Sequence, residues 1–286
     1  MRINHNISSQ TAQGSLNQTS KSISKSLEKL STGLRINSAS DDPAGLGISE
    51  NLRTQINGVS QAQKNAQDGI SALNIAEGAT NEISSILQRM LELSIQSAND
   101  TLTSTERGYT NSEFTSLRSE IDRISAATTY NGMDLISSGA NRFGTVNATS
   151  GNVLWIDANS SVGVDSITIS INTVTSASIS SASFATRTIS SQAGAKAAIS
   201  EVDLAICSIN TIRANIGAYV NRLEHAVNNL NVSETNQTAA ESLIRDVDFA
   251  EETSKFTKNQ ILLKSATAML AQSNLLPKSI LTLMKK

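Results

Sequence analysis

The chain has little of the material from which active sites, metal centres and disulfides are made. Its 286 residues include one cysteine, Cys207, and two histidines, His5 and His225, far apart in sequence. A single thiol closes no internal disulfide, and no base, nucleophile or ligand set is assembled by spacing. No catalytic residue, metal site or cofactor is therefore expected. There are only two prolines, Pro43 and Pro277, so long stretches run without a helix breaker. Aromatic residues make up 3% (five Phe, three Tyr, one Trp). A core with so few rings must be built from Leu, Ile, Val and Ala, as packed helices are. Charged residues make up 17%, with a net charge of −2, which gives no electrostatic footprint for nucleic acid. No apolar run approaches the roughly 18 residues of a span, so no membrane insertion is expected. The opening Met-Arg-Ile-Asn-His-Asn-Ile-Ser-Ser-Gln lacks an apolar core, so no cleaved secretory signal is expected either. Gly45-Leu46-Gly47-Ile48-Ser49-Glu50 superficially matches a dinucleotide loop, but it follows a polar turn rather than a strand.

What the chain does have is helical periodicity. Leu16, Ile23 and Leu30 are spaced by sevens, and so are Ser20, Leu27 and Leu34, with polar residues between them. This stripe is too narrow for a stable isolated helix. At the other end Leu262, Met269, Leu276 and Leu283 are spaced by sevens, with Ala266, Ser273 and Ile280 in the alternate positions. Leu263, Leu270 and Met284 form a second stripe beside them, and Pro277 predicts a kink or break. Asp42-Pro43 predicts the start of a long helix reaching about Asn99, and Thr103-Ser104-Thr105-Glu106 a capping box. Ala198, Val202, Ala205, Ile209, Ile212, Ile216, Tyr219, Leu223, Ala226 and Leu230 alternate steps of four and three, enough to argue coiled-coil packing. Cys207, inside this stretch, is expected to be a buried small hydrophobe, and His225 a solvated or interfacial residue.

The middle changes character. Val153-Leu154-Trp155-Ile156 and the alternation of Ile167, Ile169 and Ile171 with Thr168, Ser170 and Asn172 predict two short strands, turning at Asn159-Ser160-Ser161. Asn131-Gly132 marks another turn. Thr173 to Ser191 is rich in Ser and Thr, nearly uncharged, and reads as a polar surface and linker. The fold expected is mainly α: a long antiparallel helical coiled-coil rod with the N- and C-terminal helices paired and a small β-hairpin in the middle.

Long motifs at both ends resemble those of bacterial flagellins. They are Leu30-Ser31-Thr32-Gly33-Leu34-Arg35-Ile36-Asn37-Ser38-Ala39-Ser40-Asp41-Asp42-Pro43 with its continuation to Ser49, Gln88-Arg89-Met90-Leu91-Glu92-Leu93-Ser94-Ile95-Gln96, Asn221-Arg222-Leu223-Glu224, Ile244-Arg245-Asp246-Val247-Asp248-Phe249-Ala250-Glu251-Glu252, and Met269-Leu270-Ala271-Gln272-Ser273-Asn274. The match covers roughly residues 1–140 and 195–286. The resemblance implies a terminal core domain from 1–40 with 245–286, a rod domain from 41–140 with 190–244, and a variable outer segment at 141–189, too short for large outer domains. It implies a structural subunit that polymerises into the flagellar filament, exported unfolded through the flagellar type III channel.

On that reading Leu16, Ile23, Leu27, Leu30, Leu262, Met269, Leu276 and Leu283 are the subunit-packing residues. The partners are other copies of the chain, with an export chaperone, cap and hook-junction proteins. The filament is external, or alternatively periplasmic. Arg89, Leu93 and Glu113 fall on positions of the flagellin patch sensed by a host toll-like receptor, and Leu91 stands where the family commonly has Arg. O-glycosylation, which many flagellins carry, has its candidates in Ser160, Ser161, Thr168, Ser170, Thr173, Thr175, Ser176, Ser178, Ser180 and Ser181. A cytoplasmic coiled-coil scaffold or chaperone is the rival. It would explain the heptads but not the narrow-striped ends.

Overall fold

The structure, a computed structural model, describes residues 6–138, 143, 152–157, 166–180 and 183–284, with only the backbone course for 152 and 276–284. Five helices carry the fold: α1 (Ile7–Thr32), α2 (Pro43–Ala98), α3 (Ser104–Ala127), α4 (Gln192–Arg245) and α5 (Phe249–Met284). Among the described residues, four short strands lie between α3 and α4: β1 (Thr129–Tyr130), β2 (Met133–Asp134), β3 (Asn152–Trp155) and β4 (Ser166–Ile169). The mainly helical fold with a small β element is the one that the periodicities predict. The described residues form two compact units, one from Met1–Gln55 with Asn236–Lys286 and the other from Ile56–Thr235.

The helix starts follow from their caps. Asp42 Oδ1 accepts from the Gly45 N–H at 2.9 Å, and Pro43 opens α2 at the position where a missing N–H costs nothing. Thr103 and Glu106 form the reciprocal capping box of α3. The Glu106 carboxyl is held below its ordinary range, chiefly by the Thr103 N–H and hydroxyl that donate to it. Asn131 and Gly132, with φ of 50° and 74°, give the primed turn that joins β1 to β2.

In the Ile56–Thr235 unit the seam read from the sequence is the buried face of α4. Ala198, Val202, Ala205, Ile209, Ile212, Ile216 and Leu223 are all 3% exposed or less. They share one core with Leu73, Ile83, Leu87, Met90 and Leu93 of α2 and with Phe114 and Ile121 of α3. Cys207 is exposed, not buried as expected. Two residues past Ala205 is about 200° around the helix, so position 207 falls opposite the seam. His225 is exposed.

β3 and β4 pair antiparallel, with Leu154 opposite Ile167 and Val153 opposite Thr168. Ile167 and Ile169 are buried while Thr168 is exposed, as the alternation predicts. The expected turn at Asn159-Ser160-Ser161 lies outside the described residues. The residues after β4 differ from the expectation of a solvated linker. Ile171, Val174, Ile179, Phe184 and Ile189 are buried in the core. Polar ties hold this strap down: Asp122 accepts from the Ser176 N–H and hydroxyl, Arg118 donates to the Arg187 carbonyl at 2.8 Å, and Arg187 pairs with Glu201. The five apolar anchors stand three, five, five and five residues apart, a spacing that matches neither the helical nor the strand period.

Hydroxyl groups line the helices. Thr11, Thr19, Ser22, Thr54, Ser71 and Ser119 each donate to the carbonyl four residues back. Pro277 does not end α5, which runs on to Met284 past the position where the sequence predicts a kink or break.

The strap sets a test. Phe184 is fully buried, and its ring meets Phe114 edge-on with centroids 6.4 Å apart. Phe184→Ala is expected to destabilise the Ile56–Thr235 unit by about 3–5 kcal/mol. Thermal unfolding followed by circular dichroism measures it; a change under about 1 kcal/mol would mean the strap carries no core weight.

Candidate assembly surface

The terminal helices pair with each other. Along α5 the half-buried and buried residues are Glu252, Phe256, Asn259, Leu263, Ala266, Leu270 and Ser273, in steps of four and three. Along α1 they include Ala12, Leu16, Thr19, Ile23, Ser26 and Leu30 in the same steps. These are the rows through which two narrow stripes cover one another.

The chain is fastened where both helices meet their neighbours. Gly33 ends α1 in the left-handed region at φ 74°, its N–H donating to the Lys29 carbonyl at 2.9 Å. Leu34 then bridges to Asp246, and the Val247 N–H donates to the Gly33 carbonyl at 3.0 Å. The Arg35 backbone N–H donates to the Arg245 carbonyl and its guanidinium to the Ile244 carbonyl, both at 2.6 Å. These two carbonyls are at the end of α4, where a cation also complements the helix dipole. Arg245 in turn pairs with Glu50 at 2.6 Å, which holds the Glu50 carboxyl below its ordinary range. Asp41 accepts from the Lys25 ammonium at 2.6 Å and from the Asn37 and Ser38 N–H groups at 3.3 Å. The ammonium lowers the Asp41 carboxyl to about 2, against the opposing effect of burial.

Outside the paired rows several apolar side chains stay open. Leu27 on α1 and Ile261, Leu262, Met269 and Leu275 on α5 are exposed, Met269 by 65%. Of the residues singled out from the sequence, Leu16, Ile23 and Leu30 are half-buried on the α5-facing row of α1, and Leu27, Leu262 and Met269 are exposed. The side chains of Leu276 and Leu283 lie outside the described residues. The inner row of α5 runs through the second stripe, Leu263 and Leu270, rather than the first. Phe256 and Ala266 complete that row, a register visible once the four-three steps are started at Glu252.

Elsewhere, Arg89 donates to Glu113 at 2.9 Å and pairs with Glu92 at 3.0 Å, all three exposed. Leu93 does not join them: it is 1% exposed, in the core of its unit. Among the candidate hydroxyls Thr168, Ser170 and Ser178 are exposed, and Thr173, Thr175 and Ser180 half-buried. Ser176 is 6% exposed and bound to Asp122, so a sugar there would break the strap. Ser160, Ser161 and Ser181 lie outside the described residues. Among the described residues no three His, Cys, Asp or Glu gather as a metal site, and no helix is long and apolar enough to cross a membrane.

A chain whose ends pair into one unit while its last helix keeps an uncovered apolar row belongs to the class of self-associating helical subunits. The family is defined by comparison with known proteins. The bacterial flagellin N-terminal helical region matches residues 3–141 and the C-terminal helical region residues 199–284. Flagellin FlaB2 of Treponema pallidum is 41% identical over 286 residues, with all of both chains covered. The flagellar filament 33 kDa core protein of Treponema phagedenis is 43% identical over 290 residues, and the flagellin of Bacillus subtilis 42% over 310, again with full coverage of both chains. The chain belongs to the bacterial flagellin family, and it is a structural filament subunit of the flagellum. The scaffold reading is not favoured.

The fastening sets a pH test. A carboxyl whose folded pKa lies below its ordinary 3.8 contributes stability above that value and loses it as pH falls toward about 2. The wild-type chain should lose more stability than Asp41→Asn across that window, measured by denaturant unfolding at each pH. Parallel acid profiles would remove Asp41 from the fastening.

Proposed function

We propose that the terminal pair forms the interior of the filament, with the open row of α5 packed against other copies of this chain. The observation that carries this reading is the set of exposed apolar side chains on α5, Ile261, Leu262, Met269 and Leu275, which lie off the row that α1 covers. Leu27 on α1, with Leu276 and Leu283 further along α5, extends the same role. Residues 1–40 with 245–286 act as the core, 41–140 with 190–244 as the rod around it, and 141–189 as the outward part. An apolar row of this length is a liability before assembly, which supports an export chaperone as a partner. Cap and hook-junction proteins would then be the partners at the filament's ends. The filament lies outside the cell, with a periplasmic setting as the second reading.

Electron microscopy of the purified full chain tests the main claim. Wild type is expected to form open helical filaments. Met269→Asp places a charge in a desolvated contact, a cost of several kcal/mol, and should leave a folded helical monomer at concentrations at least about a hundredfold above wild-type assembly. Filaments of Met269→Asp at wild-type concentrations would remove this row from the interface.

Glycans, if carried, should sit on Thr168, Ser170 or Ser178, the exposed hydroxyls among the described candidates. Intact mass followed by peptide mapping checks this, and sugars on α1 or α5 would contradict the inside–outside assignment.

A further inference from the structure

Pro277 lies within α5, where a proline nitrogen has no hydrogen to give. The carbonyl four residues back, that of Ser273, therefore receives no helical bond from position 277. It is satisfied from outside: the side-chain amide of Asn6 donates to it at 3.0 Å. The other end of the same side chain caps α1, Asn6 Oδ1 accepting from the Ser9 N–H at 3.1 Å and the Ser8 hydroxyl at 2.7 Å. Two further contacts frame it. The Ser8 and Ser273 hydroxyls lie 2.8 Å apart, and the Ser9 hydroxyl donates to Asn274 Oδ1 at 2.9 Å. Ser273 is 8% exposed, so its polar atoms rely on these partners rather than on bulk water.

We propose that Asn6 and Pro277 together form a register lock for the terminal helix pair. The apolar rows alone do not fix the register. Both repeat in steps of four and three, so away from the backbone bonds that hold Gly33–Arg35 to Ile244–Val247 at the other end, a shift of α1 along α5 by seven residues brings equivalent positions together again. A polar residue that finds its partner at only one offset removes that degeneracy, as buried polar positions do in coiled coils. Here the distinguishing mark is a backbone acceptor. Inside a regular helix each carbonyl is used by the N–H four residues on, and Pro277 leaves one free. Asn6 seats the start of α1 at that carbonyl and at no neighbouring turn. The residue expected from sequence to weaken α5 is thus its point of attachment. Resting on the reading of α5 as the packing helix, the lock fixes the height at which Leu262, Met269 and Leu275 stand relative to Leu27 for the next copy.

The test uses the full-length chain and two substitutions that separate capping from locking. Asn6→Ser keeps a good N-cap acceptor but removes the amide that reaches Ser273. Pro277→Ala restores an N–H to that carbonyl. Amide hydrogen exchange of the soluble chain is read over residues 7–13 and 270–276, with the Ile56–Thr235 unit as internal control. Asn6→Ser is expected to speed exchange over 7–13 roughly tenfold in the chain that keeps Pro277 and only about twofold in the Pro277→Ala background. Equal acceleration in both backgrounds, no acceleration in either, or free exchange over 7–13 in the wild type would each overturn the lock. Sedimentation of assembled material is read alongside, and Asn6→Ser should leave roughly tenfold more chain in solution. A wild type that forms no filaments would overturn the assembly reading while the exchange data still decide the lock.

Discussion

The terminal unit depends on one constraint: α1 has an apolar row about one residue wide. A helix of this kind gains too little from any single contact to stay folded in water, so it is stable only when its row is covered along its whole length. Helix α5 supplies the cover with Phe256, Leu263, Ala266 and Leu270. In doing so it commits one of its two stripes and leaves the other, Leu262 and Met269, open. Self-association thus follows from an arithmetic mismatch: two stripes on one helix, one on its partner. The fastening at Gly33–Arg35 and Ile244–Val247 joins the pair at one end by backbone bonds, which do not depend on side-chain choice.

Much of this was legible because repetition is legible. The α4 seam from Ala198 to Leu230, the Asp42-Pro43 start of α2 and the Thr103–Glu106 box each depend on residue type at a fixed offset, which a sequence displays directly. What could not be read depends on contacts outside the helical and strand periods. The strap through Ile171, Val174, Ile179, Phe184 and Ile189 steps by three and then by fives in a Ser/Thr-rich stretch, which fits neither period, so it reads as a linker. Leu93 lies on a motif that resembles a surface patch, yet the helical phase of α2 turns it inward while Arg89 stays out. On α5, heptads show that stripes exist but not which one meets α1, since a pair of stripes one residue apart satisfies the same spacing.

The polar parts of the fold follow a consistent pattern. Single charged groups are placed where the chain changes direction: Asp41 with Lys25, Arg245 with Glu50, Arg35 on the last carbonyls of α4, Arg187 with Glu201. Helix faces between these points carry ion pairs such as Arg89 with Glu92 and Glu113, and beside them short hydroxyl side chains bonded back to their own helix.

Those hydroxyls have an entropic consequence. Thr11, Thr19 and Ser22, folded back onto their own helix, each have one or two rotatable bonds already settled. Lysine or glutamate at the same places would sweep out many rotamers and hold a broad hydration shell, and both would have to be given up when another surface arrives. A helix clothed in Ser and Thr has little freedom left to lose and few ions to displace. Its close contacts should therefore be formed at small entropic cost and depend little on salt.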